Sequence, residues 1–273
     1  MHIGKGAEEM KFETAVFTDI GPSRAVNEDS MLLMRAETGA GTVLLACVCD
    51  GMGGLDLGET ASASMIDALH TWFILRLPGL LAEGLREETL ADQWKGLAED
   101  ADRRIGDYGR QRGKELGTTC AVLLLAGERW FLMNIGDSRI YQIDNDVRQL
   151  TTDQTWVQKE FEMGRLTAQQ MRTHPRRNLL LECIGTGPLV QPQFRSGRIE
   201  GNEAFLVCSD GFCHTLQPDD LALNLHPDYL PDPEMMEKRL SGLAKLCLQR
   251  KETDNLSAVL IRTCTLAQQK GEH

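Results

Sequence analysis

Seven apolar residues in a row, Val43, Leu44, Leu45, Ala46, Cys47, Val48 and Cys49, stop at Asp50 and turn into a loop carrying Gly51, Gly53 and Gly54. The run is too short to span a bilayer. Its β-branched and small residues, without polar alternation, read as a strand covered on both faces. Whatever the chain folds into must therefore contain a buried strand whose end delivers one carboxylate to a flexible rim. Glycines at such a rim let backbone carbonyls or amides approach an ion or a phosphate closely. Taken alone, Asp-Gly after a strand is an ordinary turn, so its meaning depends on the remaining sequence.

The pattern of an apolar strand ending in an acid recurs. Residues 11–20 alternate as a half-buried strand does and are broken by Gly21-Pro22, after which a loop carries Arg24, Asn27, Glu28 and Asp29 before a second strand-like run at 30–35. Residues 58–77 place Ala61, Met65, Ile66, Leu69, Phe73 and Leu77 on one helical face. His70 and Trp72 on that helix read as packing residues. Residues 86–112 repeat the pattern with Leu90, Trp94, Leu97, Ala101, Ile105 and Tyr108, and Gly113 ends them. From Gly117 the period changes to that of strands, and 117–126, 130–135 and 139–143 predict three antiparallel strands with Gly136-Asp137-Ser138 between the last two. The less regular stretch 150–189 predicts a flap of short helical pieces, with His174-Pro175-Arg176-Arg177 adding positive charge. Strand 204–208 runs into Ser209-Asp210-Gly211, a helix occupies 234–251, and Asp254-Asn255 precede a last strand at 256–262. Residues 263–273 form a polar tail.

With 273 residues the chain has enough length for one large core, and nothing marks a linker, so a single domain is expected, its core at about 12–262. Lys and Arg number 29 against 40 Asp and Glu, a net charge of −11, which argues against a nucleic-acid surface or an anionic membrane as partner. The eight cysteines lie mostly inside apolar runs and form no CxxC pair, which favours reduced core thiols over a disulfide framework or a zinc site. With no signal-like start and no run near the ~20 residues of a spanning helix, a cytoplasmic protein is expected.

Asp50, Asp210 and Asp254 each stand at the junction of an apolar strand and a loop, and Glu28 and Asp137 occupy similar edges. Strand ends on one rim bring such residues together, where they repel unless cations neutralise them. Oxygen donors without a Cys or His set favour Mg²⁺ or Mn²⁺ over zinc. Two such ions about 3.5–4 Å apart activate a bridging water and clamp both oxygens of an in-line displacement at phosphorus. Arg24 offers a planar fork for phosphate oxygens. Cys49 is no candidate nucleophile, because alternation points it away from Asp50.

The motifs SRAVNED, CDGMGG, GTTCAVLLL, NIGDSRIY, LTTDQTW, CSDGF and ETDNLSAVLI follow one another in the order and approximate spacing of a known family. Across residues 12–261 the chain resembles the metal-dependent protein serine/threonine phosphatases of the PP2C type (PPM), in their bacterial style. The resemblance implies an α+β fold, a four-layer α-β-β-α sandwich of two antiparallel sheets flanked by helices, with a binuclear Mn²⁺ or Mg²⁺ centre at one end. It implies that Asp50 bridges both metals, that the Gly51 carbonyl binds one of them, and that Asp210 and Asp254 complete the other site. Glu28 would act through metal-held water, Asp29 and Asn255 would support the ligands, and Arg24 would hold the substrate phosphate. Asp137, with Asp210, matches the position of a weaker third metal. The implied reaction is hydrolysis of phosphoserine or phosphothreonine in proteins by in-line attack of a metal-held water or hydroxide. The implied partner is a phosphorylated protein, a serine/threonine kinase or its target, with the enzyme acting as a monomer.

The chain also departs from the family. Met52 stands where animal relatives carry a histidine, Leu55 stands where bacterial relatives often do, and the flap's usual Asp-His-Ser reads Asp153-Gln154-Thr155. The general acid is then metal-held water, or else His214 or His174. Two alternatives stay open: a catalytically silent phosphoprotein-binding sensor module, and a phosphoesterase for small molecules.

Overall fold

The computed structural model describes residues 10–39, 41–53, 57–186 and 190–265. The chain runs through β1 (Met10–Asp19), β2 (Asp29–Thr38) and β3 (Gly41–Met52) into α1 (Leu57–Leu75), α2 (Leu77–Ala82) and α3 (Glu87–Arg112). It continues through β4 (Gly117–Thr118), β5 (Cys120–Ala126), β6 (Arg129–Ile135), β7 (Arg139–Ile143) and β8 (Val147–Gln149), then α4 (Trp156–Glu162) and α5 (Ala168–Thr173). The last part is β9 (Gln193–Arg198), β10 (Glu203–Cys208), α6 (Asp210–Cys213), α7 (Pro218–Leu225), α8 (Pro233–Gln249) and β11 (Leu256–Thr265).

Two antiparallel sheets result, in the orders β1-β11-β10-β7-β8 and β2-β3-β5-β6-β9, with β4 paired to β3. The alternation of β3 explains its apolar run. Val43, Leu45, Cys47 and Cys49 face the core beneath α1, α2 and α3, while Leu44, Ala46 and Val48 enter the core between the sheets. Both faces are covered, so neither can carry a polar residue cheaply. Helices α6, α7 and α8 close the outer face of the other sheet, bringing Phe212 and Leu240 into one core with Leu206 and Leu260. The architecture is the four-layer α-β-β-α sandwich.

The helices form largely where their apolar spacing predicts. The first ends at Leu75 rather than at 77, and Leu77 opens α2 with Pro78 in its first turn. Gly113, at φ 61, ends α3 in the left-handed conformation. Trp72 is buried and meets Trp94 edge-on at 5.5 Å between centroids, but His70 is exposed.

The expected antiparallel trio is corrected. Strands β5 and β6 pair, but β7 leaves them and pairs with β10 in the other sheet. Gly136 makes this crossing possible. At φ 96 it tolerates no side chain, and a Cβ there would lie 2.6 Å from Cγ2 of Thr119. Beyond it, Ile140 enters the inter-sheet core and Tyr141 and Ile143 turn towards the outer helices. The crossing therefore carries Asp137 over the end of the sandwich. Among the described residues no helix is long and apolar enough to cross a membrane. Gly54, Leu55 and most of the polar tail lie outside the described residues.

Candidate functional site

Asp50 falls on the inter-sheet side of β3 at the strand's end, and Asp29, the first residue of β2, is its direct cross-strand partner. Glu28 precedes Asp29. From the other sheet, Asp210 opens α6 immediately after β10, and Asp254 stands two residues before β11. Asp137 joins them from the β6–β7 crossing. Six acids from distant stretches of the sequence thus meet at one end of the sandwich, where strands of both sheets terminate.

Neutral donors hold the backbone of this rim. The Asp50 N–H donates to Thr119 Oγ1 at 2.9 Å, and the Asp50 carbonyl accepts from Thr119 N at 2.9 Å and Thr118 Oγ1 at 3.0 Å. The Glu28 N–H donates to Asn255 Oδ1 at 2.9 Å, and the Asn255 amide donates to the carbonyls of Ile20 and Val26 at 2.7 and 3.3 Å. Buried Asn255 therefore ties the end of β1, the acidic loop and the start of β11 together. The Glu28 carboxylate accepts from Gly58 N at 3.2 Å, and its carbonyl accepts from Ser62 Oγ at 2.7 Å. Gly51 fits into the same junction only because it has no side chain: a Cβ would sit 2.1 Å from the Gly58 carbonyl oxygen. Ser209 Oγ donates to Asp29 Oδ2 at 2.9 Å.

The carboxylates are crowded beyond what these donors offset. Burial, and then the charges of Asp29, Asp210, Asp137 and Asp254, hold the Asp50 carboxyl well above the usual carboxylate range. Burial pushes Asp29 up to about 7, with Asp210 and Asp254 adding to it and bonds from Ser257 and Ser209 opposing. Asp210 is raised by burial and by Asp254, and Asp137 well raised by burial, Asp210 and Asp153. One oxygen of Asp29 and one of Asp210 are buried without any hydrogen-bond partner among the described residues. Buried carboxylate oxygens without donors call for a cation. The donor set is all oxygen, which suits Mg²⁺ or Mn²⁺.

Arg24 stands at the open side of the cluster. Its guanidinium donates to Asp254 Oδ2 at 2.7 Å and lies 3.7 Å from Glu28, while its side chain keeps 46 % exposure and so remains reachable by an incoming anion. Beside the acids opens a cavity of about 460 Å³, lined among others by Asp137, Asp210, His214, Arg172 and Arg177. It brings cationic flap residues to the edge of an anionic centre.

A model of the protein phosphatase 2C family matches residues 23–260 of the chain. The chain belongs to the protein phosphatase 2C family. It is 32 % identical over 254 residues to the serine/threonine protein phosphatase PstP of Mycobacterium tuberculosis, an alignment covering 90 % of this chain and 44 % of that protein. The chain thus spans less than half the length of that relative. Against protein phosphatase PhpP of Streptococcus pneumoniae it is 26 % identical over 251 residues, covering 91 % of this chain and 96 % of PhpP. Among solved structures, the catalytic domain of PstP in complex with two manganese ions superposes with a TM-score of 0.73 at 28 % identity, covering 93 % of this chain and 99 % of that one.

Within this family member, the flap departures have structural roles. Arg139 grips both oxygens of Asp153 at 2.7–3.2 Å, Gln154 Oε1 accepts the Gly136 N–H at 2.7 Å, and Thr155 caps α4 by accepting from Gln158 N at 3.2 Å. Gln154 therefore pins the flap to the turn that carries Asp137. Of the two histidines, His174 stacks near Trp156 at 4.9 Å, whereas His214 lines the cavity 3.8 Å from Glu252, whose bond raises its pKa. Residue reading alone missed Thr119, Ser209, Asn255's three-way junction and the Arg139–Asp153 clamp. Polar residues next to the motif acids were their only signal.

Proposed function

We propose that this chain hydrolyses phosphoserine and phosphothreonine in proteins at the acid-rich end of the sandwich. The observation that carries the reading is the meeting of Asp50, Asp210, Asp254, Asp137, Glu28 and Asp29 at one rim, with two donorless buried oxygens, beside the exposed Arg24. Asp50, the Gly51 carbonyl, Asp210 and Asp254 would hold two Mn²⁺ or Mg²⁺ ions, with Glu28 reaching one through water and Asp137 and Asp210 offering a weaker third position. When bound, such ions would offset the carboxylate charge, make water more acidic and polarise the phosphoryl oxygens.

The chain's own residues supply position and selectivity. Thr118 and Thr119 fix the Asp50 backbone, and Asn255 fixes Glu28, so the acids do not have to be reordered at each turnover. Arg24 offers two parallel N–H groups to the phosphoryl oxygens on the open side. Arg172 and Arg177 in the adjoining cavity would take acidic or phosphate-rich flanking segments of a protein substrate. His214, held by Glu252, faces the same space and can move a proton to a departing serine or threonine oxygen. The relatives named as serine/threonine phosphatases support this reading, and a partner kinase or kinase target follows from it.

Phosphate release from a phosphothreonine peptide, with and without Mn²⁺, tests it. Release that requires Mn²⁺ and is lost in Asp50→Asn but kept in Cys49→Ser is expected. Release that survives chelation would overturn the reading, and faster release from a nucleotide than from the peptide would move the substrate to the small-molecule class.

A further inference from the structure

The crowding under α1 has a second component that the acid centre does not use. Cys47 and Cys49 on β3 and Cys120 on β5 point to the same helix-side core, with Sγ atoms 3.6 Å apart for Cys47–Cys49 and 3.8 Å for Cys47–Cys120. All three sulfurs lie within 4.8 Å of one another, the only such trio of His, Cys, Asp or Glu ligand atoms among the described residues. Each residue is fully buried, inside a cluster of aliphatic, aromatic and sulfur side chains that includes Met65, Leu69 and Met133. Sequence spacing hides this trio, because two members are separated by one residue and the third is about 70 positions on.

We propose that Cys47, Cys49 and Cys120 form a binding site for a trivalent thiophilic ion of the arsenic(III) class. An ion bonded to sulfur at the roughly 2.3 Å usual for such bonds, with near-tetrahedral angles, sets its sulfurs about 3.7 Å apart. Two of the three pairs, at 3.6 and 3.8 Å, stand at that spacing and the third lies within 4.8 Å, so one ion closes the trio by drawing Cys49 and Cys120 together. Charge selects which ion. Three thiolates around a divalent ion leave a net negative charge in an apolar core with no partner, whereas three around a trivalent ion leave none. With arsenous acid the step balances without redox: three As–O bonds break, three As–S bonds form, and each thiol proton leaves with a hydroxide as water.

The site is mechanically joined to the acid centre. Cys49 immediately precedes Asp50, and Cys120 follows Thr119, whose hydroxyl accepts the Asp50 N–H. Drawing the sulfurs onto one ion pulls on both ends of that bond, so occupation weakens Mn²⁺ binding at Asp50 severalfold. This last consequence rests on the metal-centre reading above, whereas the thiol site does not.

The test uses the full reduced chain and arsenite. Native mass spectrometry should find one arsenic in place of three protons, lost in Cys47→Ala, Cys49→Ala and Cys120→Ala and kept in Cys264→Ala. Crystals soaked in arsenite should show one anomalous peak between the three sulfurs, a measurement that needs no variant to fold. No adduct on the folded chain, or a peak at other cysteines, would overturn the site. Titration of Mn²⁺ into the loaded and unloaded chain reads the coupling, and equal affinities would overturn that part. If the unloaded chain takes up no Mn²⁺, the metal-centre reading fails while the arsenic peak still reports on the thiols.

Discussion

Asp254 spends one carboxylate oxygen on Arg24 and the other on the chain: Oδ2 accepts from the Arg24 guanidinium at 2.7 Å and Oδ1 from the Asn255 N–H at 2.8 Å. Among the described residues no three of the rim carboxylates place an oxygen within 4.8 Å of one another. If Asp254 joins Asp50 and Asp210 around one cation as proposed above, its Oδ2 would exchange the Arg24 guanidinium for that cation. Arginine and cation would then compete for Asp254, and a released Arg24 would present its fork to a phosphate.

Arg24→Ala should consequently split two properties that most site mutations lose together. The two side chains are 46 % and 24 % exposed, so freeing Asp254 should tighten Mn²⁺ binding only within about fivefold. Loss of a charged bidentate contact to phosphate should lower kcat/KM on a phosphopeptide by about 10–100-fold. Calorimetric Mn²⁺ titration and steady-state kinetics measure the two. Weaker Mn²⁺ binding in the variant would place Arg24 as a support of the acids rather than their competitor.

Asp50→Asn removes one ionisable group from a cluster of five other acids. Metal-free stability should rise, because the repulsion that lifts the Asp50 pKa is relieved. The Mn²⁺-induced gain in Tm should nearly vanish along with activity. Differential scanning calorimetry with and without Mn²⁺ checks both signs, and an undiminished Mn²⁺ gain would exclude Asp50 as a ligand.

Much of this arrangement is legible in the sequence because the acids sit where apolar strands end, and strand ends are visible as breaks in hydropathy. The uninterrupted run 43–49 announced a strand buried on both faces, and the alternate sides of β3 fill two different cores. Other elements could not be read. Strand β9, QFRSGR, has no apolar alternation and is held in the sheet by its neighbour β6, with Gly197 leaving room for the Trp130 ring. The β7 crossing was hidden because local pattern specifies a strand and not its sheet. At the site, Ser209 and Thr119 matter through partners 180 and 69 residues away, Asp29 and Asp50, the first a relation that exists only once the sheets are stacked and the second only once β3 has paired with its neighbours.

Asn255 is the joint on which the rim's geometry depends. It is buried, accepts from Glu28 N and donates to two carbonyls from another segment. Asn255→Ala strands those three backbone groups and should cost about 2–4 kcal/mol of stability. Urea denaturation monitored by tryptophan fluorescence measures it. Mn²⁺ affinity should fall as well, since Glu28 loses its anchor. Asn255→Asp, which keeps the acceptor but adds a charge and loses the donor, should recover little of either.

The pH dependence of the metal-free chain follows from Asp29. Its folded pKa, about 7, lies above the ordinary value of 3.8, so the folded state holds the proton more tightly than the unfolded state does. The stability this confers is complete below 3.8 and is lost as pH rises, with the loss complete above about 7. Other acids, such as Asp220 held down by Arg250, act in the opposite direction at lower pH, so the comparison has to be with Asp29→Asn. Between pH 4 and 8 without metal, the variant should gain Tm relative to the wild type as pH rises. On the metal-centre reading proposed above, a divalent cation at the rim would displace protons that the crowded acids hold, so the Mn²⁺-induced rise in Tm should grow through the same range. A Mn²⁺ gain that is flat with pH would mean that the acids raised by this crowding are not the ones that hold the ion.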